Sequence, residues 1–136
     1  MQLISQYHYV EFYFAQDTHL AQYQLMQRLY CHNYGYLKIS EGCDNACSFC
    51  SIPLMRGLQK SQPVEWNIAE ARRMAQNGVK EILVIAQDST SYGWDLTPRR
   101  SLAELLTELD KIDELDWIRL HYAHPTHLHN DVIKCF

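Results

Sequence analysis

The run "VKEILVIAQ", residues 79–87, narrows the choice of fold more than any other part of the chain. Ile82 to Ala86 are apolar without a break, and the run is bounded by Asn77-Gly78 before it and the polar "DSTSYGWDLTPRR" after it. A strand with no polar alternation reads as one covered on both faces, as in a parallel sheet. Its surroundings repeat the theme. "YLKIS" (36–40) reads as a strand, and Pro53, Gly57 and Pro63 punctuate a connection to a helix over 64–77. A second helix, "LAELLTELDKI", carries Leu102, Leu105, Leu106, Leu109 and Ile112 on one stripe, with Ser101 placed to cap it. "DWIRLHYAH" (116–124) is a third strand, closed by Pro125, and "LHNDVIKCF" begins another helix. Strand, helix, strand, helix, strand is the repeat of a parallel α/β sheet with right-handed crossovers. Three such units are too few to close a barrel, so the chain is expected to be part of a longer protein.

Residues 1–35 stand apart as an extension of unclear role. "DTHLAQYQLMQRLY" spaces Leu20, Tyr23, Leu25, Met26 and Leu29 as a short helix would, with Asp17 or Thr18 as its cap. Gly35 marks the boundary, and residues 36–136 form the main unit. With 47% hydrophobic and 21% charged residues the 136-residue chain is globular in balance. Its net charge of -4 excludes a polycation that binds nucleic acid by charge alone, leaving nucleic acid only an indirect partner. No apolar run approaches the roughly 20 residues of a membrane span. The start, "MQLISQYHYVEFYF", lacks the pattern of an export signal, so the expected compartment is the cytoplasm. Thiols stay reduced there, and five cysteines cannot all pair as disulfides.

Cys43, Cys47 and Cys50 fall within "GCDNACSFC", a C-x3-C-x2-C spacing. They follow the first strand, and in parallel α/β architectures function gathers in the loops at the carboxyl ends of strands. Thiolates select iron–sulfur clusters, zinc or copper(I). Structural zinc requires a fourth ligand, to be found among Cys31, Cys135 or seven histidines. Ferredoxin-type clusters also take four protein ligands. Three ligands to a four-iron cluster leave one iron open, which suits a catalytic cofactor as an open position suits catalytic zinc.

The cysteine spacing after a first strand resembles the radical S-adenosylmethionine superfamily. Together with "GVKEILVIAQDSTSYGWDL" and "WIRLHYAHPTHL", it is similar to the methylthiotransferase branch, on the side that modifies a ribosomal protein rather than a tRNA adenosine. The resemblance covers roughly residues 36–136. It implies the first half of a (β/α) barrel. It also implies that Cys43, Cys47 and Cys50 hold a 4Fe-4S cluster whose open iron binds S-adenosylmethionine. The implied activity is transfer of a methylthio group to the β-carbon of an aspartate of small-subunit ribosomal protein twelve, with electrons from a flavodoxin or ferredoxin. A tRNA-directed relative and a non-catalytic zinc or iron–sulfur module are the alternatives.

The same resemblance assigns Phe49 to the adenine side of the cofactor, and Gln87 and Asp88 to its amino group. Arg56 is placed to pair with a carboxylate or a cluster-bound anion. The alternatives are a turn cap for Asp88, a cluster shield for Phe49 and a solvated surface side chain for Arg56. Arg119, inside the third strand, requires a partner if it faces a barrel interior. His121, His124, His127 and His129 straddle a strand, a proline turn and a helix start, a spacing that does not place them on one face. His124, at the strand end, remains a candidate for contact with cofactor or substrate. Relatives in this branch carry a preceding domain with three further cysteines, whereas residues 1–35 hold only Cys31. Ser61-Gln62-Pro63 stands where the family commonly has Ser-Arg-Pro.

Overall fold

The computed structural model describes residues 33–136. The helix read over 17–30, and Cys31, lie outside the described residues. Three strands form a parallel sheet in the order β1-β4-β5: β1 is Tyr34–Lys38, β4 is Glu81–Ile85 and β5 is Trp117–Leu120. Two short strands, β2 (Ser40–Glu41) and β3 (Lys60–Ser61), pair antiparallel beside it. The first strand thus begins two residues earlier than the pattern suggests and is interrupted at Ile39, whose N–H still reaches Ile85 O at 3.0 Å.

The helices are α1 (Ile52–Arg56), α2 (Val64–Gln76), α3 (Leu102–Leu109) and α4 (Asn130–Ile133). α2 and α3 match the apolar periodicity closely. The Ser101 hydroxyl accepts the Glu104 N–H at 3.1 Å, as a helix cap should. Leu102, Leu105, Leu106, Leu109 and Ile112 are all buried. Asn77 and Gly78 close α2, where the Asn77 side chain donates to Arg73 O at 2.8 Å. α1 is not legible from hydrophobic spacing: Pro53 sits in its first turn, where the missing N–H is harmless, and none of its residues is buried.

α2 packs against β1 and against α3, so one side of the sheet carries the core. Leu37, Ile82 and Val84 point into it, joined by Ile118 and Leu120. The opposite face carries Tyr36, Leu83 and Arg119 in one register row, flanked by Lys38, Glu81, Ile85 and Trp117. The burial of β4 therefore alternates, with Glu81, Leu83 and Ile85 only half covered. The expectation of a strand covered on both faces holds for the helix side alone, because no second layer lies on the other side among the described residues. Arg119 does have its partner there: it forms an ion pair with Glu81 on that open face. Among the described residues no helix is long and apolar enough to cross a membrane.

Candidate functional site

Parallel strands bring their carboxyl ends to one edge of the sheet. Here that edge collects the cysteine loop after β2, Gln87 and Asp88 after β4, and His121 to His127 after β5. The cysteine loop starts at Gly42, whose φ is +77°. A side chain there would meet Leu58 O and, at 2.6 Å, Gly57 O, so only glycine lets the two backbone segments touch. Cys43 N–H then donates to Gly57 O at 3.2 Å, and the Asp44 carboxylate accepts Gln59 N–H at 2.8 Å. The Cys43 side chain is buried, and the Asn45 N–H points at its sulfur at 3.4 Å. Further along, Cys50 N–H closes a turn on Cys47 O at 3.1 Å. Cys47 is exposed, Cys50 half-buried and Phe49 fully in solvent.

Asp88 is the most connected group at this edge, and it is 2% exposed. Its Oδ1 accepts the Thr90 N–H at 3.0 Å and the Thr90 hydroxyl. Its Oδ2 accepts Asn45 Nδ2 at 2.8 Å and lies 3.0 Å from His127 Nδ1. Burial alone pushes the carboxyl upward. The hydrogen bonds from the Thr90 hydroxyl, Asn45, His127 and the Thr90 N–H outweigh it and hold the group at about 2. The turn that Asp88 caps, Ser89–Ser91, is itself buried. Ser89 N–H and hydroxyl reach Tyr122 O and His121 O at 3.1 and 2.7 Å, and Ser91 exchanges bonds with the buried Gln59. Tyr122 takes φ +58° as it presents that carbonyl. A segment with the composition of a surface loop is thus a polar core joining three chain segments.

A second carboxylate, Glu41, gathers cations at the same edge. It accepts from Arg56 at 3.3 Å and from Gln87 Nε2 at 3.2 Å, and it forms an ion pair with Lys38. Burial, and then repulsion from Arg56, push the Lys38 ammonium below its ordinary value. Arg56 therefore has a carboxylate partner, as its position suggested. Gln87 Oε1 is buried and has no hydrogen-bond partner among the described residues.

Beside the hub lies a cleft of about 200 Å³ lined by Asp44, Asn45, Gln59, Trp94, Asp95 and His127. The His127 ring lies 5.1 Å from Trp94 and 5.0 Å from His124. Two of the four histidines thus meet despite their unpromising spacing, because the Pro125–His127 turn folds back on itself. The His124 ring accepts the Thr126 N–H at 3.3 Å.

Of the residues singled out in the sequence, the structure brings Asp88, Gln87 and Arg56 to one edge with the cysteine loop, and leaves Phe49 of that loop exposed to solvent. Asn45, Glu41 and Thr90 were not singled out. Thr90 alone has a local signal, the run Asp88-Ser89-Thr90, which has the composition of a capped turn; Asn45 and Glu41 have none. Among the described residues, no three metal-donating side chains are gathered in one place. The donor chemistry nevertheless fits a thiophilic iron–sulfur group: three free thiols share one loop, and the buried sulfur already receives a backbone N–H.

No protein-family model matches the chain. Curated proteins do. The chain is 59% identical over 102 residues to "Ribosomal protein uS12 methylthiotransferase RimO" of Christiangramia forsetii, which is 75% of this chain and 23% of that protein. It is 58% identical over 102 residues to the protein of the same name from Flavobacterium johnsoniae, with the same shares covered. With that of Symbiobacterium thermophilum it shares 54% over 99 residues, 73% of this chain and 20% of the relative. The chain spans about a quarter of the length of the curated relatives it matches. Over three quarters of its own length it is therefore homologous to RimO methylthiotransferases.

Proposed function

We propose that this chain carries the first part of a radical S-adenosylmethionine methylthiotransferase core that acts on ribosomal protein uS12 in the cytoplasm. Residues 36–136 are the core, laid out as the opening half of a (β/α) barrel, and residues 1–35 are an extension. The observation that carries the reading is the cysteine loop itself. Three thiols at C-x3-C-x2-C spacing sit on the carboxyl edge of a parallel sheet, in a segment 59% identical to a RimO protein.

In this reading Cys43, Cys47 and Cys50 hold a 4Fe-4S cluster. When bound, such a cluster supplies the electron for radical chemistry on S-adenosylmethionine, drawn in turn from a flavodoxin or ferredoxin. The chain's own residues bind and orient. Cys43 offers a sulfur shielded from water and steadied by the Asn45 N–H. Gln87 Oε1 is a buried acceptor awaiting a donor, which suits the ammonium of an amino acid. Arg56 and Lys38 flank Glu41 beside it and supply positive charge for a carboxylate. Phe49, between two cysteines, has the exposed ring that stacking on a nucleobase requires. Asp88, on the β4 side, makes its hydrogen bonds within the chain and so supports the set rather than contacting the cofactor itself.

Anaerobic reconstitution of the chain with iron and sulfide tests this. The expected product is a brown protein whose spectrum shifts when S-adenosylmethionine is added and which releases 5′-deoxyadenosine on reduction. Cys47→Ala should abolish cluster uptake. Stoichiometric zinc in place of iron, with no spectral response to S-adenosylmethionine, would point instead to a non-catalytic metal module.

A further inference from the structure

Asp88 has more donors than a turn cap needs, and they divide by oxygen. Oδ1 serves its own turn through Thr90. Oδ2 serves distant chain: Asn45, 43 residues back, and His127, 39 residues ahead. These partners stand in the segments that follow the other two strands of the sheet. Asn45 lies between Cys43 and Cys47, and its two ends do different things. Its backbone N–H faces the Cys43 sulfur at 3.4 Å while its side-chain amide grips Asp88 at 2.8 Å.

A buried carboxylate that loses a donor keeps the desolvation without the compensation, so such a bond is not given up lightly. The bond is also charge-assisted, which strengthens it and fixes its direction. With all four donors in place, Asp88 has its hydrogen-bonding capacity committed inside the chain. Its effect on the cysteine loop therefore runs through Asn45.

Resting on the cluster site proposed above, we propose that Asp88 is a positioning residue: through Asn45 it fixes the first cysteine of the loop, and His127 braces the same oxygen from the β5 side. Cys47 and Cys50 have no comparable tie. The competing account is that backbone contacts alone, Cys43 N–H to Gly57 O and Gln59 N–H to Asp44, already hold Cys43 in place. The two accounts differ in what the Asn45 side chain does.

The test uses the full chain, metal-free and reduced, with iodoacetamide as probe and the modification rate of each cysteine followed by mass spectrometry. Asn45→Ala should raise the rate at Cys43 about tenfold, the opening expected when one hydrogen bond to a charged group is lost. Cys47, and the remote exposed Cys135, should keep their rates. Asp88→Asn should act in the same direction. Exchanging the pair, Asn45→Asp together with Asp88→Asn, again sets a donor against an acceptor and should bring Cys43 back toward the wild-type rate. General loosening of the fold would raise all the rates and would not be reversed by the exchange. Titration with cadmium alone, read by sulfur-to-metal charge transfer, should show the same ranking of affinities. An unchanged Cys43 rate and cadmium affinity in Asn45→Ala overturns the positioning role, even if the wild type takes up a cluster. Should the wild type refuse iron and sulfide while the alkylation pattern holds, the cluster reading fails and the tie stands. If Asp88→Asn does not fold, Asn45→Ala decides by itself.

Discussion

The two halves of the cysteine loop are built differently. From Gly42 to Asn45 every residue is held: by backbone contact with Gly57 and Leu58, by Gln59, and by Asp88. From residue 46 to Cys50 the chain has a single turn bond of its own, and Phe49 is 91% exposed. The exposure continues into α1, where Leu54 and Met55 also face solvent. Regular spacing of like residues therefore does not mean like environments. One cysteine is held by contacts within the fold, and the other two are not.

The sharpest way to break the contrast is at its start. Gly42→Ala forces a methyl group into Gly57 O and Leu58 O at a backbone angle that disfavours side chains. A loss of about 3 kcal/mol is expected from strain and overlap together, read as a lower urea midpoint. Gly57→Ala tests the reverse. Its φ is +78° but a side chain there meets nothing within 4 Å, so only backbone strain of about 1–2 kcal/mol applies.

Asn45→Ala comes next, at about 1.5 kcal/mol in the same assay. Acid should loosen the held half in a related way. The Asp88 carboxyl sits near 2, below its ordinary 3.8, so its ties add stability that is complete above 3.8 and fades as pH falls toward 2. The gap in thermal midpoint between wild type and Asp88→Asn should narrow over that window, and a gap that stays constant would show that the charge is not what the ties use. The smallest effect belongs to the other half. Phe49→Ala should change the stability of the metal-free chain by less than about 0.5 kcal/mol. In the reconstituted protein it should weaken S-adenosylmethionine binding, measured by the spectral shift.

What the sequence disclosed follows the range of each interaction. The α3 stripe, the Ser101 cap and the Asn77-Gly78 stop are written in neighbouring residues, and they appear as read. The cysteine loop and Gln87-Asp88 were placed by strand order, because parallel strands send their carboxyl ends to one edge. The buried turn Ser89–Ser91 was not legible. Polar composition reads as surface, and its partners, Gln59, His121 and Tyr122, lie some thirty residues away on either side. The meeting of His124 and His127 was hidden for the opposite reason: it depends on a three-residue turn whose geometry overrides periodicity. Similarity to RimO proteins supports the proposed chemistry, but it could not have revealed which of the three cysteines is buried and hydrogen-bonded.

That asymmetry bears on the order of assembly. A sulfur that is already in place acts as a post to which an incoming metal can be moored. Cys47 and Cys50 are then only four and seven residues farther along the same chain, so they search a small volume at high effective concentration. In the cluster site proposed above, capture would begin at the sheltered thiol or at the more exposed ones, and each route would leave a different transient: iron held by Cys43 alone, or by the Cys47–Cys50 pair. The half-loaded species trapped on the way would show which end of the loop receives the metal first.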